Sequence, residues 1–389
     1  MSTKEKNAGA RGVSAPPPLP LGDLVEPLLL WYDRAHRSLP WREEPTPYRV
    51  WISEIMLQQT RVEAVKPYYD RFLRALPDIR HLAEVEEEEL LKLWEGLGYY
   101  NRARNLKKAA IMIEETYGGQ MPDEYEELLK LPGIGSYTAG AIASIAFGQP
   151  AAAVDGNVLR IIARATMDDG DIMDQKVRRR VEKDLLAVMP QGRAGDFNQA
   201  LMELGATVCI PNGAPKCAEC PWHDRCRARI EGRISEYPKK SPKKPRVIEE
   251  KTILVIQDEN RTALRRRPSR GLLAGMYEFP SLPGHRPEEE VLSYLNTLGY
   301  RAIHIRRLED ARHIFTHREW DMIGYAVRVD ELDRPEFEGN APFLFAENGE
   351  TEEKYPIPSA FSKYAQYIRL RLGTERLKEG EQNNGGKSL

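Results

Sequence analysis

Residues 209–226 read CIPNGAPKCAECPWHDRC and hold all four cysteines of the 389-residue chain. The spacing C-x7-C-x2-C-x5-C closes one short loop, so the four thiols are placed to act together as ligands. Two disulfides are an alternative, but disulfides are rare inside cells and no segment resembles a secretory signal. Four thiolates suit either tetrahedral zinc or an iron–sulfur cluster. Because zinc sites usually carry two short C-x2-C pairs and this loop carries one, the spacing favours the cluster.

The composition indicates a folded protein with more than one domain. Hydrophobic residues make up 41% of the chain, which is enough for sizeable cores, and no stretch approaches the length of a membrane span. The formal net charge is only −2, so the chain as a whole does not indicate a polyanionic partner. Charge is segregated, however, into an acidic run at 86–89 and basic runs at 176–183 and 239–246. Such runs are most often solvated faces or linkers, although a basic patch can also bind phosphates.

The sequence pattern changes from helical to mixed near residue 230. Residues 23–230 show helical periodicity, for example at 48–59, 102–117 and 197–208. A stretch rich in proline and lysine follows at 231–246 and is predicted to be an interdomain linker.

Beyond the predicted linker, residues 247–372 favour a mixed α+β domain. One helical run covers 288–298, and the short β-type runs lie at 252–257, 303–306, 320–329 and 343–346. We therefore predict a multidomain protein with an all-α domain followed by an α+β domain. Residues 1–22 are expected to form a disordered leader, and residues 373–389 a loose tail.

A glycine-containing turn precedes a possible helix start. Residues 131–140 read LPGIGSYTAG, in which Gly133 and Gly135 let the backbone turn tightly and leave amide N–H groups pointing outward. Such a nest binds an anion, commonly a phosphate. Residues 154–158 then read VDGNV, and Asp155 stands where a helix is predicted to begin. In isolation, the glycine turn is better explained as an ordinary helix–helix turn, and Asp155 is as well explained as an N-cap as by a functional role.

In this order, the LPGxG turn, the VDxN aspartate and the four-cysteine loop resemble the endonuclease III superfamily of helix–hairpin–helix DNA glycosylases. Further segments are similar to the MutY-type adenine DNA glycosylases within it: LPWR (39–42), SEIMLQQT (53–60), WEGLGYYNRARNL (94–106), FNQALMELGA (197–206) and GLLAGMYEFP (271–280). The resemblance implies excision of adenine mispaired with 8-oxoguanine, and a Nudix-like C-terminal domain that senses the oxidised base. It also implies a [4Fe-4S] cluster on Cys209, Cys217, Cys220 and Cys226. The first cysteine gap has seven residues, whereas the family normally has six.

Two carboxylates would carry this chemistry. Cleavage of a glycosidic bond to adenine needs one protonated acid and one ionised stabiliser. Glu54 lies in an apolar helical segment, which raises a carboxyl pKa, and the resemblance makes it the acid that protonates the purine. Asp155 matches the carboxylate that stabilises the sugar, while Tyr137 and Asn157 match residues that line the site. Without the resemblance, Glu54 would be read as an ordinary half-buried helix residue.

Tyr137 also separates two mechanisms. In bifunctional relatives of endonuclease III a lysine follows the LPGxG turn, attacks the sugar as an amine and later nicks the strand. Because Tyr137 occupies that position, we predict a monofunctional glycosylase that leaves an abasic site. The alternatives are a pyrimidine-damage glycosylase with lyase activity and a non-catalytic lesion-binding protein. Tyr137 and the second domain count against the first, and the two carboxylates count against the second.

Further residues are assigned to DNA by the resemblance. Gln59, Thr60, Leu97 and Tyr99 match residues that wedge into the duplex, and the tyrosine is suited to fill the vacated stack. Leu97 and Tyr99 could instead be core residues, although the glycines beside them favour a loop tip. In the second domain, Thr316 replaces the usual serine of the loop that contacts 8-oxoguanine. The remaining assignments are Arg42 and Gln199 at the adenine edge and Gly133 and Gly135 in the phosphate-binding turn.

The expected partner is duplex DNA containing 8-oxoguanine:adenine or guanine:adenine mispairs. The stretch after Gly275 lacks the metal-binding helix of a true Nudix hydrolase, so pyrophosphohydrolase activity is not expected. We expect a monomer in the cytoplasm of a prokaryote, associated with the nucleoid.

Overall fold

The computed structural model describes residues 19–242, 245–332, 343–347, 350 and 354–369. Most of the predicted leader and the whole of the predicted tail lie outside these ranges. The chain divides into two compact units. The first comprises residues up to Glu54, Pro122–Lys130 and Ile134–Ser241, and the second comprises Ile55–Met121, Leu131–Gly133 and the residues from Pro242 onward. Within the described residues, no helix is both long enough and apolar enough to cross a membrane.

The described chain is helical up to residue 230. Its α-helices are α1 (Gly22–Ala35), α2 (Pro40–Glu43), α3 (Pro47–Leu57), α4 (Val62–Ala75), α5 (Ile79–Glu84), α6 (Glu87–Leu93), α7 (Asn101–Tyr117), α8 (Tyr125–Leu128), α9 (Ser136–Ile145), α10 (Gly156–Thr166), α11 (Gln175–Ala187), α12 (Ala194–Thr207) and α13 (Arg227–Ile230). Short 3-10 helices lie before and after α13, at Cys217–Glu219 and Ile234–Glu236. Helices α3, α7 and α12 confirm the three helical runs predicted from periodicity.

The core of the first unit fixes the cysteine loop. Apolar faces of α1, α10, α11 and α12 pack together, with Leu28, Val158 and Leu201 among the buried residues. Trp222, from the cysteine loop, is buried in the same cluster, and its Nε1–H donates to the carbonyl oxygen of Leu24 at 3.0 Å. The loop is therefore anchored to the helices that carry the site.

The second half of the chain forms a mixed sheet, which confirms the predicted α+β class. Its strands are β1 (Val247–Gln257), β2 (Arg261–Arg266), β3 (Tyr277–Glu278), β4 (Ser281–Pro283), β5 (Ala302–Ile314), β6 (Arg318–Val329) and β7 (Leu344–Glu347). The order is β3-β2-β1-β6-β5, with β4 also paired to β1 and β7 to β2. Strands β1 and β6 are parallel, and the other pairs are antiparallel.

The second half of the central strand β1, residues 252–257, is buried on both faces. Ile253 and Val255 belong to one apolar cluster, while Leu254 and Ile256 belong to the other, as the alternation of side chains in a strand requires. Helix α14 (Glu288–Thr297) covers one face. The other face is covered by the short helical turns at Ser359–Phe361, Ser362–Ala365 and Gln366–Arg369.

Strands β2, β3 and β4 were not predicted from the sequence. Strand β2 begins and ends with arginine, and only its middle residues Thr262–Leu264 are buried. Its sequence therefore lacks the apolar run that would predict a strand. Strands β3 and β4 are too short to show a period.

The first part of the predicted linker is bound to the first unit. Tyr237 is buried, and its hydroxyl donates to Asp169 at 3.0 Å. Its carbonyl oxygen accepts from Arg164 Nε at 3.0 Å, and the carbonyl of Lys239 accepts from the backbone N–H of Ile172 at 3.1 Å. These contacts hold the chain in place up to this point.

Candidate active site

Glu54 is the buried carboxyl of the site. It lies on helix α3 among buried residues such as Trp51 and Ile52, and only 6% of Glu54 is exposed. The hydroxyl of Tyr137, near the start of α9, donates to Glu54 Oε2 at 2.5 Å. The pKa of Glu54 is raised to about 7, mainly by burial; the Tyr137 bond and the charge of Arg42 lower it, and the charge of Asp155 raises it. A substantial fraction of Glu54 is therefore protonated at neutral pH, as a general acid requires.

Asp155 caps α10 and lies close enough to Glu54 for its negative charge to raise the pKa of Glu54. Its Oδ1 accepts from the backbone N–H of Val158 and its Oδ2 from Asn157 Nδ2, both at 2.8 Å. Burial raises the pKa of Asp155, while these hydrogen bonds act in the opposite direction. The capping role considered from the sequence is confirmed, and the structure also brings Asp155 together with Glu54, Tyr137 and Asn157.

Tyr137 remains a neutral donor at this site. Burial raises its pKa well above the ordinary value, and the negative charges of Glu54 and Asp155 act in the same direction. Its hydroxyl also lies 3.1 Å from Met202 Sδ. The phenol can therefore stabilise an ionised Glu54 without giving up its own proton.

Arg160 connects Asn157 to the cysteine loop, a role that the sequence analysis missed. Arg160 Nη2 donates to Asn157 Oδ1 at 2.9 Å and to the carbonyl oxygen of Gly205 at 2.7 Å. Its Nε donates to the carbonyl oxygen of Cys209 at 2.9 Å. Asn157 and Arg160 stand three positions apart on α10, a spacing that places them on one face of a helix. That spacing was the available signal.

The four cysteines line one cavity beside two arginines. Cys209, Cys217, Cys220 and Cys226 are half-buried free thiols, and Arg164 and Arg229 share the lining. Arg164 Nη1 donates to Cys209 Sγ at 3.3 Å. Burial raises the pKa of Cys220 to about 12, so its thiolate needs cationic compensation. Among the residues described, no three ligand-type side chains are close enough to hold a single metal ion. The donor set, four thiols around one cavity with guanidinium groups nearby, fits an iron–sulfur cluster.

Arg42 and Gln199 are neighbours, as their shared assignment to the adenine edge requires. Arg42 Nε donates to Gln199 Oε1 at 3.1 Å, and Arg42 Nη2 donates to Glu203 Oε2 at 2.9 Å. Arg37 Nε donates to the other oxygen of Glu203 at 2.6 Å. Burial raises the pKa of Glu203, but the two arginines outweigh it and the net shift is downward. The sequence analysis missed Glu203, although it stands four residues after Gln199 on α12.

The residues assigned to the wedge differ in exposure. Gln59 and Tyr99 are exposed and have left-handed backbone conformations, with φ of 59° and 48°. Thr60 is half-buried, and Leu97 is buried at 6% exposure. The Tyr99 hydroxyl lies 2.9 Å from Thr316 Oγ1. The structure thus brings Tyr99 and Thr316 together and places Leu97 in the core, where the alternative interpretation put it.

The two glycines of the LPGIG turn have different local roles. Gly133 has φ of 80°, and a Cβ at this position would lie 2.7 Å from Asn105 Cβ, so a side chain is excluded. Gly135 is the N-cap residue of α9, and the space where a Cβ would stand is open. Because Gly135 has no side chain and the space beside it is open, a phosphate can approach the amides at the start of α9.

Both halves of the chain are similar to known proteins. A family model described as HhH-GPD superfamily base excision DNA repair protein matches residues 52–185, and a NUDIX domain model matches 252–367. The adenine DNA glycosylase of Homo sapiens is 36% identical, over 90% of this chain and 74% of its own. That of Buchnera aphidicola subsp. Acyrthosiphon pisum is also 36% identical, over 75% of this chain and 82% of its own. A solved thermostable thymine-DNA glycosylase is 30% identical, with a TM-score of 0.48, over 54% of this chain and 96% of its own.

Proposed function

The chain belongs to the adenine DNA glycosylase family, and from that premise we propose that it hydrolyses adenine from 8-oxoguanine:adenine and guanine:adenine pairs without cutting the strand. It is a DNA glycosylase of base excision repair, and its substrate is DNA. The observation that carries the proposal is the shared site of Glu54, Tyr137 and Asp155. A cytoplasmic location beside the nucleoid, and action as a monomer, are part of the same proposal.

The reaction divides between the two carboxyls. Protonated Glu54 gives its proton to a nitrogen of the adenine five-membered ring, and the electron pair of the C1′–N9 bond leaves with the base. Asp155, held by Val158 and Asn157, presents negative charge to the sugar cation that forms. Ionised Glu54 then accepts the Tyr137 hydrogen bond and can take a proton from the water that adds to the sugar.

The cysteine loop is proposed to hold a [4Fe-4S] cluster through Cys209, Cys217, Cys220 and Cys226. When bound, the cluster would cross-link the loop that follows α12 and supply a redox-active centre. Arg164 supports the assignment, because its N–H faces Cys209 Sγ and would offset part of the negative charge of the ligands.

The decisive experiment measures base loss and strand cleavage separately. Duplexes with 8-oxoguanine:adenine, guanine:adenine and thymine:adenine pairs are incubated with the protein and then analysed with and without alkali. We expect strand breaks only after alkali, and far fewer from the thymine pair. Borohydride should trap no covalent adduct, because Tyr137 has no amine with which to form a Schiff base. Strand breaks without alkali, together with trapping at the level of a lysine-bearing relative, would contradict the proposed monofunctional reaction.

Thr316 is expected to contribute to the preference for 8-oxoguanine over guanine. Thr316→Val has the same shape but lacks the hydroxyl, so the ratio of excision rates between the two mispairs should fall by about fivefold to tenfold, the equivalent of one hydrogen bond. The measurement is single-turnover excision on both duplexes.

Two further variants identify the source of the Thr316 effect. Thr316→Ser keeps the hydroxyl and should keep the ratio. Tyr99→Phe removes only the bond between Tyr99 and Thr316, so it shows how much of the effect comes from that contact. An unchanged ratio in Thr316→Val would remove this residue from lesion recognition.

A further inference from the structure

Arg102, in the first turn of α7, binds the end of α3 and the residue before Gln59 through one nitrogen. Its Nη1 lies 2.6 Å from the carbonyl oxygen of Ile55 and 3.1 Å from that of Met56. The same nitrogen lies 2.7 Å from the carbonyl oxygen of Gln58. Carbonyl groups in the last turn of a helix lack intrahelical partners and carry the negative end of the helix dipole, so a cation is favoured there.

The other terminal nitrogen of Arg102 binds the loop that presents Tyr99. Nη2 donates to the carbonyl oxygens of Leu97 and Gly98, both at 3.1 Å. The guanidinium carbon lies 5.3 Å from the ring centroid of Trp94 and 5.6 Å from that of Tyr99. One planar group therefore joins two backbone segments and contacts the ring that is proposed to enter the duplex.

The charge of Arg102 is compensated by backbone rather than by a carboxylate. Burial lowers its pKa to about 10, which leaves it charged at neutral pH. Within the part of the chain that the structure describes, Arg102 takes part in no ion pair. Its terminal donors face five carbonyl oxygens on two segments.

We propose that Arg102 is the positioning residue of the DNA wedge, defined as the exposed or half-buried residues Gln59, Thr60 and Tyr99. Arg102 binds the carbonyl of Gln58 and those of Leu97 and Gly98 at the same time. It thereby holds the segment that carries Gln59 and Thr60 at a fixed distance from the loop that carries Tyr99. It also keeps the Tyr99 ring exposed in its left-handed backbone conformation. This inference rests on the proposed excision of adenine from duplex DNA, because the wedge acts by driving the base out of the stack.

Arg102→Lys is the direct test, because a lysine keeps the charge but has a single nitrogen that cannot reach both segments. Base extrusion is followed with 2-aminopurine in place of the target adenine, since its fluorescence rises on unstacking. We expect the extrusion rate and the single-turnover excision rate to fall together by at least about tenfold. The pH dependence of excision should not change, because the surroundings of Glu54 are not altered.

Arg71→Lys is the matched control, since Arg71 also stacks on a tyrosine and binds a carbonyl, that of Leu93, outside the wedge.

Gly98→Ala strains the same loop without replacing Arg102, and it provides a second test if Arg102→Lys fails to fold. Gly98 has φ of 69° and open space at the Cβ position, so alanine would strain only the backbone. Extrusion should slow by about fivefold or more. Gly148→Ala introduces the same strain outside the wedge, at φ of 68° and with equally open space, and should extrude normally.

The possible outcomes separate the two proposals. Normal extrusion in folded Arg102→Lys, or in Gly98→Ala, would overturn the positioning role, as would a loss of excision with extrusion intact. Wild-type protein that extrudes 2-aminopurine but leaves adenine in place would instead overturn the proposed excision, and the comparison of extrusion rates would still stand.

Discussion

Replacement of Glu54 by glutamine is expected to lower single-turnover excision of adenine by about 10³-fold or more while sparing duplex binding. Glutamine has nearly the same shape and can still bond to the Tyr137 hydroxyl, but it has no proton to give to the purine. Excision by wild-type protein should also fall as pH rises above about 7, because the pKa of Glu54 lies near that value and the proposed acid acts only when it is protonated. Single-turnover rates measured across pH give both results.

The same substitution is expected to stabilise the protein at alkaline pH. Burial raises the pKa of Glu54 from 4.5 to about 7, so the folded state holds a proton that the unfolded state releases. The associated stability is present below the unfolded pKa and is lost as pH rises through the folded value. From pH 4.5 to above 7, the wild type should therefore lose about 3 kcal/mol of unfolding free energy that Glu54→Gln retains. Urea denaturation at several pH values measures the difference.

Tyr137→Phe tests how the Tyr137 hydrogen bond affects the pKa of Glu54. The Tyr137 hydrogen bond lowers the pKa of Glu54, so its removal should raise that pKa and move the alkaline fall of activity to higher pH. A Glu54→Gln protein with near-normal turnover would refute the acid assignment. A pH profile that Tyr137→Phe moves to lower pH would refute the role of the hydrogen bond.

Glu54 and Asp155 could be predicted from the sequence because they stand in motifs that resemble those of a known family. Glu54 and Asp155 come from segments about a hundred residues apart, and the structure brings them into one site because α3 and α10 present them to the same buried space. Arg102, by contrast, acts on backbone carbonyls, which any sequence supplies. No pattern of side chains could therefore identify its partners.

Glu203 and Arg160 lie between these two cases. Each stands on the same helical face as a residue that was predicted, Gln199 and Asn157 respectively, so the spacing was a signal that could have identified them. Their partners, Arg37 in one case and the carbonyl of Cys209 in the other, come from distant parts of the chain and follow only from the packing. Leu97 shows the reverse, because the glycines beside it predicted a loop tip and the structure has the leucine inside.

Asp155→Asn is expected to lower excision by about 10²- to 10³-fold, because the neutral amide cannot stabilise the sugar cation. The fold should survive. Asparagine is as good an N-cap as aspartate, so the bond from the backbone N–H of Val158 is kept. The other bond is lost, since the new amide N–H₂ would face the donor Nδ2 of Asn157, whose oxygen is already bound to Arg160. The unfolding free energy should therefore fall by only about 1 kcal/mol.

A second aspartate allows this loss of activity to be separated from capping. Asp174 caps α11 by accepting from the backbone N–H of Lys176, so Asp174→Asn makes the same chemical change at another N-cap. Its excision rate should equal that of wild type. If Asp155→Asn retained most of its activity, the sugar cation would have to be stabilised by another group. If Asp155→Asn unfolded the protein while Asp174→Asn did not, the carboxylate would be needed for folding, and the loss of activity could not be assigned to catalysis.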